Sequence, residues 1–329
     1  MTSVAEQSFR PNNQLSLPDD VYTHPEWRTE YAAVQAFRRG AMEVLVAEPL
    51  GGIRLDPATG EPAKPIFVAL GINGDQKLPW TAIALAEEDQ RQVIGIRYPE
   101  KLEGKAKRTL QPALASKEGV IPRVTDLDMQ QAADILTTLD ELQAAQVDAL
   151  AESRGAISTV LAMRQVPERF GDTLLVHPAG LGNESYRQAH SGAAKIAIHN
   201  LGRKALLLER MDPLARELKA KGGGSGSRLA HDPLGWRREQ VSVAVARQAH
   251  LPDMLAAIRS GMTPDQSVTI AYDPKDPAIR RRRLVKQNVG NIPLVETHFG
   301  RHGFGYSREA LRGVAEYFQH TERVRAVNR

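Results

Sequence analysis

Short apolar runs alternate with amphipathic stretches along most of the chain. The fully apolar run 66–70 predicts a strand buried on both faces, as in a parallel sheet, and runs of the same kind recur downstream. Between them, apolar residues three and four positions apart predict helices. Strands are predicted at 92–96, 147–152, 173–177, 267–272 and 293–297, and helices at 80–88, 126–143, 155–164 and 308–318. This alternation predicts an α/β fold with a mostly parallel, doubly wound sheet.

Three segments depart from the alternation. Two apolar stretches around Arg38, Arg39 and Gly40 predict a β-hairpin at the start of the sheet. Residues 1–28 are polar and interrupted by prolines, which predicts a flexible N-terminal arm. Residues 182–261 show helical patterns, no convincing strand and a glycine-serine run. We therefore interpret 182–261 as a helical cap inserted into a core of residues 29–181 and 262–329.

The segment around Ser153 carries the clearest chemical signal. An apolar strand ends in a small-x-Ser-x-Gly pattern from Ala151 to Gly155 and passes directly into a helical pattern. Strand, sharp turn and helix would place Ser153 at the exposed tip of the turn, and the two small residues leave room for its close packing. This arrangement is a nucleophile elbow.

With this elbow the chain resembles the α/β-hydrolase family, which implies a Ser-His-Asp triad with Ser153 as nucleophile. In that family the strand after the cap ends in a turn that carries the acid. Asp276 matches the acid, and Asp273 is its alternate. The histidine follows the last strand, where His302 matches better and His298 is the alternate. The order serine, acid, histidine agrees with the family.

The resemblance also implies an oxyanion hole. The loop after strand 66–70 begins with Leu70 and Gly71, where the family has His-Gly. Backbone N–H groups of Ile72 and Arg154 would be the two donors. Ala151 departs from the first glycine of the family motif, and the same steric argument tolerates it. The Arg154 side chain, a cation beside the nucleophile, suggests a substrate that carries a carboxylate.

Composition limits the partners. The chain has 329 residues, no cysteine and a net charge of +4. Cysteine nucleophiles and cysteine-ligated metals are excluded, the other histidines lack metal-ligand spacing, and a triad needs no cofactor. No apolar run approaches the roughly 20 residues of a membrane span, and no secretion signal is evident at the start. We expect a cytoplasmic protein with a small-molecule substrate and neither nucleic-acid nor membrane partners.

Two classes of function stay open. The first is a capped serine hydrolase that cleaves an ester-like small molecule, or a carbon–carbon bond in a diketone-like one, through an acyl-enzyme. The second is a binding or interaction protein that has the fold without the chemistry, since fold does not fix function. The sequence does not decide between a monomer and a homo-oligomer.

Overall fold

A nine-stranded sheet forms the centre of the protein. The computed structural model describes residues 15–40, 42–71, 74–98, 115–116, 119–120, 126–181, 251–259, 261–274, 292–297 and 307–328. The sheet contains β1 (Tyr22–Arg28), β2 (Ala32–Arg39), β3 (Met42–Pro49), β4 (Ile66–Ala69), β5 (Val93–Arg97), β8 (Val147–Glu152), β9 (Phe170–Val176), β10 (Ser267–Tyr272) and β11 (Leu294–Glu296). The short strands β6 (Ala115–Ser116) and β7 (Gly119–Val120) pair separately.

The strands follow the order β1-β2-β3-β5-β4-β8-β9-β10-β11 across the sheet. β1, β2, β3 and β5 pair antiparallel in turn, which confirms the predicted hairpin of β2 and β3. From β5 to β11 every neighbouring pair is parallel. The predicted mostly parallel sheet is therefore confirmed.

Helices cover both faces of this sheet. They are α1 (Gly74–Asp89), α2 (Asp126–Glu141), α3 (Gly155–Gln165), α4 (Leu251–Arg259) and α5 (Arg308–Asn328). One apolar cluster lies between the sheet and α2, α3 and α4, and a second lies between the sheet and α1 and α5. Because they are covered on both sides, β8 and β9 are buried along their whole length. None of the helices in the described ranges is long and apolar enough to cross a membrane.

The N-terminal boundary differs from the prediction. A flexible arm over 1–28 is wrong for residues 15–28, while residues 1–14 lie outside the described ranges. Leu15 is buried in the core, the Ser16 N–H donates to the Leu142 carbonyl at 3.0 Å, and β1 pairs with β2. Polar composition misled the prediction because β1 is an edge strand with one partner, and such strands keep polar side chains.

The end of the predicted cap also differs. Helix α4 falls inside 182–261, yet its buried residues Leu251, Met254, Leu255 and Ile258 belong to the core cluster and the helix packs against α3. The Leu251 N–H donates to the Gly180 carbonyl at 3.0 Å. Residue 181, where the described chain stops, and residue 251, where it resumes, therefore lie close together. Residues 182–250 lie outside the described ranges.

Candidate active site

Ser153 occupies the sharp turn between β8 and α3. Its φ is +52°, whereas Arg154, the next residue, has φ −66° and already follows the helix. A non-glycine residue in the left-handed region costs about 1–3 kcal/mol and persists only where the surrounding structure holds it there. The predicted strand–turn–helix elbow is therefore present in the backbone.

The turn after β9 holds both backbone polar groups of Ser153. The Ser153 N–H donates to the Val176 carbonyl at 3.0 Å, and the Ala179 N–H donates to the Ser153 carbonyl at 2.9 Å. Since each buried backbone group needs a partner, these two bonds fix the strained residue from one side. They also place Ala179, two residues before the described stretch stops at residue 181, beside the serine.

Two glycines make the elbow sterically feasible. A Cβ on Gly71 would lie 2.8 Å from the Ser153 Cβ and 3.2 Å from its Oγ. A Cβ on Gly155 would lie 2.3 Å from the Ala69 carbonyl oxygen. The 2.8 Å and 2.3 Å distances are shorter than such atoms can approach, so only glycine fits at these two positions without rearrangement. Gly71, the residue at the start of the loop after β4, therefore packs closely against the serine side chain.

His177 is a second strained residue beside Ser153. It follows β9 with φ +46°, and its side chain is buried. Its Nε2 accepts the Asp273 N–H at 3.0 Å, which requires a neutral ring protonated on Nδ1. His177 thus joins the turn beside Ser153 to the turn after β10. In the sequence analysis His177 was one of the histidines without metal-ligand spacing, because one histidine after an apolar strand carries no distinctive pattern.

Two buried ion pairs flank Ser153 in the sequence. Lys77 Nζ lies 3.2 Å and 3.3 Å from the two carboxylate oxygens of Glu152, and Arg154 Nε lies 2.9 Å from Asp128 Oδ1. The exposed fraction of the residue surface is 8% for Lys77, 1% for Glu152, 6% for Arg154 and 1% for Asp128. The sequence analysis missed these pairs. Glu152 at the end of the mostly apolar, buried strand β8 was the available signal, because a buried charge requires a partner.

The pair with Asp128 changes the interpretation of Arg154. We expected its cation to suggest a substrate with a carboxylate, but the guanidinium is nearly buried and already bonded to a carboxylate. That expectation therefore loses its basis. The backbone N–H of Arg154, the predicted oxyanion donor, is a separate group and is unaffected by this conclusion.

The remaining predicted site residues lie mostly beyond the described part of the chain. Ile72, Asp276, His298 and His302 all fall outside it, and only the alternate acid Asp273 lies within it, buried at 4% exposure. β10 and β11, the strands before Asp276 and the two candidate histidines, end close together, since the Thr297 N–H donates to the Tyr272 carbonyl at 2.8 Å. No group of three or more metal-ligating side chains occurs among the residues that the structure describes.

The chain is similar to known proteins in structure and not in sequence. No protein-family model and no curated protein matches it. A candidate lipase from Acinetobacter baumannii AYE has a TM-score of 0.52 at 12% identity, covering 89% of this chain and 93% of its own. A thioesterase domain from the curacin biosynthetic pathway has a TM-score of 0.52 at 13% identity, covering 87% and 99%. N-formylmaleamic acid deformylase from Pseudomonas putida S16 has 0.50 at 13%, covering 90% and 99%. Identities this low show the fold alone.

Proposed function

We propose that this chain, which has the α/β-hydrolase fold, is a serine hydrolase. It would cleave an ester-like small molecule, or a carbon–carbon bond in a diketone-like one, through an acyl-enzyme on Ser153. The three similar structures support hydrolysis only as an analogy, because one fold hosts many functions. The proposal therefore rests on the site itself.

The strained backbone of Ser153 is the observation that carries the proposal. Among the described residues, the non-glycine residues with positive φ are Gln90, Gln143, Ser153 and His177. Gln90 and Gln143 follow the ends of α1 and α2, where a left-handed residue commonly closes a helix. Ser153 ends no helix, so its strain needs another reason. Such strain is concentrated at active sites, which favours catalysis over binding alone.

The first chemical step follows from the atoms at the elbow. Ser153 Oγ attacks the acyl carbon, and its proton passes to the imidazole that we assign to His302. Asp276 would fix the tautomer of that ring and stabilise its charged form. The negative charge on the carbonyl oxygen would be stabilised by the N–H groups of Ile72 and Arg154. The tetrahedral intermediate then expels the leaving group, which takes the proton from the imidazole.

Water completes the reaction. It loses a proton to the same imidazole and adds to the acyl carbon, and the bond to Ser153 Oγ breaks as Oγ recovers a proton. The products are an acid and the protonated leaving group, so the enzyme returns to its starting state. This scheme uses no metal and no organic cofactor.

Sheet geometry supports the assignment of the triad positions. β8, β9, β10 and β11 are neighbours and run in the same direction. With about 5 Å between strands, the ends of β10 and β11 lie roughly 10 and 15 Å from the end of β8. Asp276 follows β10 by a few residues, and His298 and His302 follow β11. Loops of that length can reach Ser153.

We also propose that residues 182–250 form the cap that selects the substrate. This proposal is supported by the positions at which the described chain stops, residue 181, and resumes, residue 251. Ala179 is bonded to Ser153, and Gly180 is bonded to Leu251. An insertion that begins and ends here starts beside the serine, at the sheet edge where this architecture binds ligands.

Ser153→Ala tests the proposal. Turnover of short p-nitrophenyl esters should fall by at least about 10³-fold, because the nucleophile is lost. The matched control is Ser158→Ala in α3, whose hydroxyl donates to the Gly155 carbonyl at 3.1 Å and has no chemical role in the proposal. It should keep near wild-type activity. Activity of Ser153→Ala within tenfold of wild type would remove Ser153 as nucleophile.

A further inference from the structure

We propose that the two ion pairs beside Ser153 position the oxyanion hole. Glu152–Lys77 and Arg154–Asp128, named here the elbow ion pairs, flank the serine on its two sequence sides. The inference rests on the proposed function, since an oxyanion hole matters only if Ser153 is acylated. The four residues are positioning residues, because they act through the backbone that they hold.

The first pair connects the elbow to the loop with the predicted donor Ile72. Glu152 is the last residue of β8, and Lys77 lies in the first turn of α1, shortly after that loop. Gly71, at the start of the loop, already packs against the Ser153 side chain. The loop is thus anchored at its start by Gly71 against Ser153 and after its end by Lys77 on Glu152. A shift of α1 away from β8 would therefore strain the connection between Gly71 and Lys77, which carries the predicted donor.

The second pair holds the other donor. Arg154 lies between Ser153 and the first residue of α3, and its N–H is the predicted donor of the elbow. Its side chain bonds to Asp128 in the first turn of α2. α2 packs against α3, so this bond links the start of α3 to a neighbouring rigid element. The orientation of the Arg154 backbone is thereby coupled to α2.

Stability alone does not explain these charges. A buried ion pair is often no more stabilising than apolar residues of the same volume, because both ions lose their water. Directional bonds to fixed partners supply geometric precision that apolar contacts lack. Precision is needed at Ser153, since donors of an oxyanion hole act only when aimed at the position of the developing charge.

Glu152→Gln and Asp128→Asn remove one charge of each pair and keep the side-chain volume. For each variant we expect kcat toward a p-nitrophenyl ester to fall about 10- to 100-fold, with KM within about threefold, because removing a whole donor costs about 10²–10³-fold. Labelling of Ser153 by a fluorophosphonate, which needs the same donors, should slow by a similar factor. All rates are measured where circular dichroism shows a folded chain.

The double variant Lys77→Met/Glu152→Gln keeps the test valid if a single variant fails to fold. It removes both charges of this pair together, so neither is left buried without the other, which favours folding. Where Glu152→Gln does not fold, the double variant is compared with wild type and should itself lose about 10- to 100-fold in kcat. Where Glu152→Gln folds, the double variant should lose no more kcat than that single variant, because the pair acts as a unit. Independent, multiplying losses would overturn the proposal for this pair.

Asp148→Asn is the matched control. Asp148 is a buried carboxylate in the same strand β8, bonded to Arg91 at 2.6 Å near the opposite end of the strand. Asp148→Asn should lower the urea midpoint and leave kcat unchanged. If the loss of any buried charge lowered activity, kcat would fall in this control as well. The inference is overturned if folded elbow variants keep wild-type kcat and labelling rate, or if Asp148→Asn lowers kcat equally. Wild-type protein that is not labelled at Ser153 would instead overturn the proposed function.

Discussion

The two ends of the parallel sheet use buried charge differently. At the carboxyl end, the elbow ion pairs are two separate pairs that flank one serine. At the amino end, five charged side chains share partners in one network. These are Arg54, Asp89, Arg91, Asp148 and Glu322.

Arg91 is the centre of the amino-end network. It is fully buried and bonds to Asp89 at 2.7 Å, to Asp148 at 2.6 Å and to Glu322 at 3.2 Å, with the Phe318 ring 5.0 Å away. Burial alone would lower the pKa of its guanidinium, but the three carboxylates outweigh burial and raise that pKa. The network connects α1, β8 and α5.

The role of strained backbone conformations also differs between the two ends of the sheet. Gln90 and Gln143 adopt positive φ where α1 and α2 end, a conformation that closes a helix. Ser153 and His177 adopt it at the ends of β8 and β9, where no helix is closed. The comparison indicates that charge and strain serve stability at the amino end and geometry at the carboxyl end. Changes at one end should therefore affect activity, and changes at the other should affect stability.

The largest effect is expected at the carboxyl end, from loss of the base. His302→Ala should lower turnover of a p-nitrophenyl ester by about 10³-fold or more, since Ser153 would have no proton acceptor. His298→Ala serves as the matched variant and should lower turnover far less. A nearly inactive His298→Ala beside an active His302→Ala would transfer the role to His298. Equal, small effects would contradict a histidine base on this loop.

The next largest effect is expected at the amino end. Arg91→Met should lower the free energy of unfolding by about 3–5 kcal/mol, because it leaves buried carboxylates without their shared cation. Urea unfolding measures it, and the labelling rate of Ser153 in the folded protein should stay unchanged. The control is Arg312→Met, an exposed arginine on α5 paired with Glu88, which should leave the urea midpoint almost unchanged. An Arg91→Met variant that is stable but slow to label would erase the distinction between the ends.

The smallest effect is a pH dependence of the free energy of unfolding, which arises at the amino end of the sheet. Burial, and then the neighbouring charge of Asp148, raise the pKa of Asp172 above its ordinary value of 3.8. With a raised folded-state pKa, the folded protein binds more protons than the unfolded chain, so this contribution to stability is present at low pH and is lost as pH rises. The unfolding free energy of wild type relative to Asp172→Asn should fall as pH rises from roughly 4, near the ordinary carboxyl pKa, towards neutrality. Urea midpoints across that range measure it, and a rise would contradict the assigned direction.

Local pattern was enough to predict most elements. β10 was predicted at its observed bounds because it is an uninterrupted, mostly apolar run between polar turns. α1 was predicted to begin at Trp80, because a proline, here Pro79, usually marks a helix boundary. The helix in fact begins at Gly74 and contains Pro79. α5 was predicted to end at Phe318 but continues to Asn328. Its last turns are largely exposed and polar, so no apolar repeat marked them.

The site was predicted only where its residues are neighbours in sequence. The elbow around Ser153 is such a segment, so its spacing was visible. Lys77 and Glu152 lie 75 positions apart, and Asp128 and Arg154 lie 26 apart. Which buried charges meet depends on how helices pack on the sheet, and one sequence does not encode that in any local pattern. His177 was missed for the same reason, since its partner Asp273 lies on another strand's end.

The central claim is that Ser153 is an activated nucleophile, and covalent labelling tests it most directly. A fluorophosphonate reacts with such a serine by forming an Oγ–phosphorus bond and releasing fluoride. Intact-mass and peptide measurements on the wild-type protein should show one adduct, located on Ser153, with none on Ser153→Ala. A folded wild-type protein that stays unlabelled, or an adduct on another serine, would contradict the account.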